Sequence, residues 1–243
     1  MTTYQGGKKR LGEKISIIIR QIEEKITGGK QLPYFEPFVG MGGVLRHFSK
    51  DIIRDVYACD INPDLIMMWK AIQKGWKPPM KCSRDYYNKL KKSKKHSAER
   101  GYLGVVASWS GIFFSSYRLD YNPQKDFLGE GYRGIMNIKP DIMNVNFLDS
   151  RNYYDFEPKG MLIYCDPPYL NNKFHVGYFT GFDHDKFWQV MRNWSKNNIV
   201  VVSESTAPDD FRQIWSADST FTNNYKTKKY KDCLFMYKKL PVL

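Results

Sequence analysis

Met161-Leu162-Ile163-Tyr164-Cys165-Asp166-Pro167-Pro168-Tyr169 joins an unbroken apolar run to a carboxylate, two prolines and an aromatic ring. Residues 161–165 have the length and continuity of a buried strand. Consecutive prolines fix φ and donate no backbone hydrogen bond, so the chain turns sharply there and presents free carbonyl oxygens at the strand's carboxyl end. Open α/β sheets bind their ligands at that edge. An acid beside a free carbonyl suits chemistry on an amino group; the plainer reading is a turn that only ends a strand.

Outward from this strand the pattern alternates. Leu11, Ile15, Ile18, Ile19, Ile22 and Ile26 fall on one helical stripe, which predicts a helix within residues 8–26. Residues 32–39 read as a strand that runs into Gly40-Met41-Gly42-Gly43 and a helix over 44–48. Residues 51–60 predict a second strand ending in an acid, and Asn62-Pro63 opens a helix that continues to residue 74, with Asn62 as its cap. Toward the carboxyl end come a strand near 142–147, a helix over 184–196, a strand over 199–202, a helix over 208–215, and two antiparallel strands over 220–225 and 233–237 around a basic turn. Such alternation predicts an α/β fold whose mostly parallel sheet is covered on both faces. The rhythm breaks between residues 75 and 140, where a basic run, the aromatic segment 109–117 and a loop rich in Gly, Asn and Pro over 120–134 follow one another. The expected organisation is a main domain of residues 1–74 and 141–243 with 75–140 inserted.

Composition narrows the class. A chain of 243 residues with 42% hydrophobic content buries one substantial core. No apolar run reaches membrane-spanning length and residues 1–10 are polar and basic, so a soluble protein is expected. Cys59, Cys82, Cys165 and Cys233 lie far apart without C-x-x-C spacing, and His47, His96, His175 and His184 lack metal-ligand spacing; no metal and a reducing compartment are expected. The net charge of +13 is lopsided: residues 70–100 carry eleven Lys or Arg against Asp85 and Glu99, interleaved with Trp76, Tyr86 and Tyr87. A solvated face explains a single basic run, but a second cluster over 226–231 favours a polyanion such as nucleic acid.

The glycine turn lacks the full G-x-G-x-x-G pattern, yet Asp60 stands twenty residues beyond Gly40, the spacing at which an acid ends the next strand and grips ribose hydroxyls. Read differently, Asp60 caps the turn before Asn62 and the glycines serve packing. A shortened glycine turn, a ribose-binding acid and no phosphate-cradling lysine motif suggest a nucleoside ligand without a polyphosphate, and S-adenosylmethionine is one.

Four segments in this order, Tyr4 to Lys8, Glu36-Pro37-Phe38-Val39-Gly40-Met41-Gly42, Asp60, and, after an insert, Asp166-Pro167-Pro168-Tyr169, resemble the Dam-like alpha-group of DNA adenine N6-methyltransferases. The likeness covers residues 1 to about 70 and 142 to about 215, including Ser203-Glu204 at a strand end. It implies a Rossmann-like S-adenosylmethionine-dependent methyltransferase sheet with an antiparallel final strand and an inserted target-recognition subdomain, and sequence-specific methylation of adenine N6 in double-stranded DNA. By the same resemblance Tyr4, Lys8, Asp60 and Asp166 contact S-adenosylmethionine, Glu36, Phe38 and Gly40 shape its pocket, and Asp149 borders its adenine unless it is a solvated loop acid. Residues 117–134 have the content of a recognition hairpin, and residues 173–178 of a loop over a flipped base or a plain surface loop.

On chemical grounds Asp166 and the Pro167 carbonyl would accept the two N–H bonds of a base's amine while Tyr169 stacks on the ring. Cytosine N4, with an RNA adenine as a further variant, is the alternative target, although an aspartate at position 166 favours adenine by resemblance. A nucleic-acid-binding protein that kept the fold without turnover is the alternative from another class. A cognate restriction endonuclease is an admissible partner, no membrane is expected, and the compartment is the cytoplasm or wherever the DNA resides.

Overall fold

The computed structural model describes residues 7–8, 10–49, 54–122, 124–170, 181–222 and 227–239. Its strands are β1 (Tyr34–Glu36), β2 (Val56–Ala58), β3 (Val145–Phe147), β4 (Leu162–Cys165), β5 (Ile199–Glu204), β6 (Phe211–Thr222) and β7 (Thr227–Tyr237). They form one sheet in the order β3-β2-β1-β4-β5-β7-β6. Pairing is parallel from β3 to β5, whereas β7 runs antiparallel to both β5 and β6. The order reverses between β1 and β4, and the carboxyl ends of those two strands define the switch-point crevice of an open α/β sheet.

Strand alternation explains the layering. Tyr34, Leu162, Tyr164, Ile199, Val201, Leu234 and Met236 face one buried cluster, which also takes side chains from α1 (Gly12–Thr27), α2 (Leu45–Phe48), α3 (Pro63–Gln73), α5 (Ala98–Val106) and α6 (Phe127–Ile138). Phe35, Ile163, Cys165, Val200, Val202, Cys233 and Phe235 face the opposite cluster, closed by Phe187, Trp188, Met191 and Trp194 of α7 (His184–Trp194). Side chains that alternate between two covered faces make the near-continuous apolar strands legible in the sequence. Three of the buried thiols, Cys59, Cys165 and Cys233, stand next in sequence to Asp60, Asp166 and Asp232.

The predicted cap is in place. Asn62 is extended at the start of α3 and its side chain accepts the Asp64 N–H at 3.0 Å, with Pro63 in the first turn. Between α3 and β3 lie α4 (Arg84–Lys92), capped by Ser83, then α5 and α6. Asp64 ties α5 to α3, since its carboxylate accepts the Ser97 N–H at 2.8 Å and the Arg100 Nε–H at 3.1 Å. Tyr87, Tyr102, Leu103, Leu128 and Ile135 from this stretch belong to the same cluster as the sheet.

Two sequence readings are corrected. Residues 208–215 are not helical; from Phe211 onward they form the edge strand β6. Phe211, Ile214 and Trp215 show the three-and-four spacing of a helix face because the register shifts between Gln213 and Trp215, a bulge that leaves Ile214 as the extra residue. Residues 117–134 do not form a hairpin, and the loop read over 120–134 becomes α6 from Phe127. Asp126 caps it by accepting the Gly129 N–H at 2.8 Å, and Gly131 allows close approach to α5, because a Cβ there would lie 2.4 Å from the Val106 Cγ1. Of the glycines that suggested a loop, Gly131 serves helix contact and Gly129 makes room for the Asp126 cap.

Candidate active site

At the carboxyl edge, acids from several strands approach Lys8. Lys8, just before α1, lies 2.8 Å from the Asp166 Oδ1 at the end of β4 and 3.8 Å from the Asp232 Oδ1 on β7. Its Nζ also stands 4.6 Å from the centroid of the Tyr169 ring, within cation–π range. The Tyr169 hydroxyl donates to the Asp232 Oδ1 at 3.2 Å and pairs with the Ser203 Oγ at 2.8 Å. With the phenol proton committed to a carboxylate, Ser203 is the donor of that pair. One residue on, the Leu170 N–H is held by the Glu204 Oε2 at 3.0 Å, so the end of β5 clasps the Asp-Pro-Pro-Tyr turn.

Burial pushes the Asp166 carboxyl up; Lys8 opposes that effect and Asp232 adds to it, leaving the pKa at about 6. Burial alone disfavours the Lys8 charge, but Asp166, Tyr164 and Asp232 more than offset it, and the ammonium is held above its ordinary range. Glu36, buried at the end of β1, accepts the Tyr34 hydroxyl at 3.0 Å. Desolvation foremost, with Asp166 and Asp60 nearby, raises its carboxyl well above the usual range despite that bond.

The second part of the site is the turn after β1. Gly40 and Gly42 both adopt positive φ, 45° and 68°, which L side chains rarely take. Asp60 locks this turn: its Oδ2 accepts the Gly40 N–H and its Oδ1 the Asn62 N–H, each at 2.9 Å. Burial lifts Asp60 to about 6 even against these two bonds. The Trp69 indole of α3 donates to the Gly40 carbonyl at 2.9 Å and so fixes the turn from behind. Beside it opens a narrow cleft of about 30 Å³, walled by Pro37, Phe38, Ile61, Arg151, Asn152, Tyr153, Pro168 and Phe182 at the tips of β1 to β4.

Of the site residues read from the sequence, Lys8, Asp166 and Tyr169 are in direct contact, with Pro167 buried between the last two. Glu36 and Asp60 add carboxyl groups to the same edge, and Gly40 and Phe38 belong to the turn and cleft. Asp149 stands apart beyond β3, exposed and paired with Lys70 at 2.7 Å. Tyr4 and residues 173–178 lie outside the described residues. Trp69, Ile61, Tyr153 and Asp232 escape sequence reading. Ile61 has a signal in its place after Asp60, whereas Asp232 reads only as an acid next to a basic turn.

A parallel sheet with one reversed strand, a glycine turn locked by an acid, and an Asp-Pro-Pro-Tyr turn at the switch point define a Rossmann-like methyltransferase. The chain belongs to the D12 class N6 adenine-specific DNA methyltransferases, whose family model matches residues 4–126. That match takes in Lys8, the glycine turn and Asp60 and stops short of Asp166. The chain is also similar to the DNA adenine methylase of Haemophilus influenzae, at 24% identity over 216 residues, covering 76% of this chain and 68% of that protein. Adenine-specific DNA methylation is the activity that goes with this family. No helix among the described residues is long and apolar enough to cross a membrane.

Proposed function

We propose that this chain methylates N6 of an adenine flipped out of double-stranded DNA, with S-adenosylmethionine as donor and Asp166, Pro167 and Tyr169 as the catalytic turn. The carrying observation is that Lys8, Asp166 and Tyr169 converge at the β1–β4 switch point beside the Asp60-locked glycine turn. The residues present fit a nucleoside donor. Phe38, Ile61 and Pro168 offer apolar walls for a ring, and each Asp60 oxygen keeps a lone pair for a ribose hydroxyl after accepting its backbone N–H. Lys8 and Glu36 lie within the same charge cluster, and Asp149 with Lys70 borders a second, open cleft with Phe147 and Arg151. When bound, the donor supplies a methyl group on a sulfonium.

The chain's own residues do the rest. An exocyclic amine on a purine is a weak nucleophile because its lone pair is delocalised into the ring. Lys8 holds Asp166 Oδ1, leaving Oδ2 to accept one amine N–H, while the Pro167 carbonyl accepts the other. Two acceptors favour a tetrahedral nitrogen and the positive charge that develops on it. A carboxyl at about 6 is also a better proton acceptor than an ordinary aspartate, suited to taking up the proton the methylated nitrogen sheds. Tyr169 has one ring face toward Lys8, so the other is the face to stack on the extruded base.

Residues 75–140 supply the target-recognition surface in this reading. Lys89, Lys91 and Lys92 of α4 are exposed, with Lys94 and Lys95 following. Trp109 and Tyr121 present exposed rings 4.6 Å apart. The test is Asp166→Ala, incubated with labelled S-adenosylmethionine and unmethylated plasmid DNA. Transfer is lost while DNA binding persists, and nuclease digestion of wild-type product yields N6-methyladenine. Wild-type transfer in D166A, or N4-methylcytosine as the product, overturns the proposal.

A further inference from the structure

We propose that Asp232, on the reversed strand β7, is a positioning residue for methyl transfer: it anchors the Tyr169 hydroxyl and shares the Lys8 ammonium with Asp166. This rests on the catalytic role given above to the Asp-Pro-Pro-Tyr turn. Asp232 is buried, and one oxygen, Oδ1, both accepts the Tyr169 hydroxyl at 3.2 Å and lies 3.8 Å from Lys8. A buried carboxylate persists where charge and donors compensate it, and here the compensating groups include Lys8 and Tyr169, both of which also adjoin Asp166. Because β7 runs antiparallel to β5, with Cys233 opposite Glu204, its early residues reach the edge where β4 and β5 end.

The interaction does two things. It holds the Tyr169 ring by a second bond besides Ser203, which fixes the plane against which a base must lie. It also gives the Lys8 ammonium a second counter-ion, so that Lys8 does not neutralise Asp166 alone. Among the described residues, the charged and titratable groups facing Asp166 are Lys8 ahead of α1, Glu36 on β1, Tyr164 and Cys165 on β4, Tyr169 in the turn, Glu204 on β5 and Asp232 on β7. Of these, Asp232 raises the Asp166 carboxyl and Lys8 lowers it.

The experiment compares wild type, Asp166→Ala, Asp232→Asn, Asp232→Glu and Ser203→Ala in single-turnover transfer from labelled S-adenosylmethionine to plasmid DNA across the acid limb of the pH profile. D232N keeps an acceptor for the Tyr169 hydroxyl but removes the charge that strengthens that bond and pairs with Lys8, and is expected to lower the transfer rate about tenfold or more, with donor and DNA affinity held within about twofold. Its acid limb moves to lower pH, because the removed charge had raised Asp166; S203A slows transfer and leaves the limb in place, and D232E returns the limb toward wild type. The limb's position does not depend on the active fraction, so partial misfolding does not imitate the shift. An unmoved limb in D232N, or a rate within about twofold of wild type, overturns the assignment. Loss of transfer in D166A beside an unaffected D232N overturns Asp232 alone and leaves the proposed activity standing. Should D232N not fold, Tyr169→Phe removes the hydroxyl that Asp232 accepts, and a wild-type rate in Y169F overturns the anchoring.

Discussion

Asp166 works against the fold that holds it. Its carboxyl and that of Asp60 both titrate at about 6 rather than near 3.8. Between those values the folded chain binds protons that the unfolded chain has released, so this pair's contribution to stability is present in acid and lost as pH rises through about 6. Accepting an N–H needs the ionised form, and transfer should therefore fall as pH drops through the same range. Lys8 holds the Asp166 carboxyl down, so Lys8→Gln is expected to move the acid limb of kcat to higher pH at saturating donor. A limb that stays in place in K8Q, measured over pH 5 to 8, removes Lys8 from control of that charge. At this scale the sequence was informative where residue types are distinctive in a row, as at Asp166-Pro167-Pro168-Tyr169 and Gly40 to Asp60. It was silent on Asp232 because that acid's partners, Lys8 and Tyr169, come from distant segments and only the sheet order makes them neighbours.

Among elements, α1, α3, α7 and the parallel strands were legible because each carries its own pattern: a continuous apolar run for β4 and β5, a cap and proline for α3, a stripe for α1; α4 and α5, inside the basic stretch, were not read as helices. The misread elements are those whose pattern is set by a neighbour. In β6 the bulge imposes a helix-like spacing on an edge strand, and in α6 Gly131 answers to the surface of α5. That second feature can be tested. A Cβ at position 131 would sit 2.4 Å from the Val106 Cγ1 and 2.9 Å from the Tyr102 hydroxyl, atoms of buried side chains that have little room to move. Gly131→Ala is expected to destabilise the chain by about 1–3 kcal/mol through overpacking, read from urea denaturation. Unchanged stability would mean that α6 and α5 do not press against each other at this position. Asn62→Ala, which removes the α3 cap, should cost about 1 kcal/mol in the same assay.

For the molecule as a whole, charge is distributed in a way that its sum of +13 conceals. The surplus sits on the stretch between α3 and α6, while the proposed catalytic edge sets Lys8 among acids that are buried or nearly so. The polyanion binding proposed for the first and the amine chemistry proposed for the second need opposite environments. Changing Lys89, Lys92, Lys94 and Lys95 together to Gln is expected to weaken DNA binding and flatten its dependence on log salt by about 0.9 for each phosphate that the variant no longer neutralises. An unaltered slope in that variant would assign the DNA surface elsewhere. Finally, burial pushes the thiols of Cys59, Cys165 and Cys233 up and keeps them unreactive in the closed fold. Each is rooted beside a different acid, so the order in which an alkylating reagent labels the three, read by peptide mass, is a clock for which corner of the catalytic edge breathes open first.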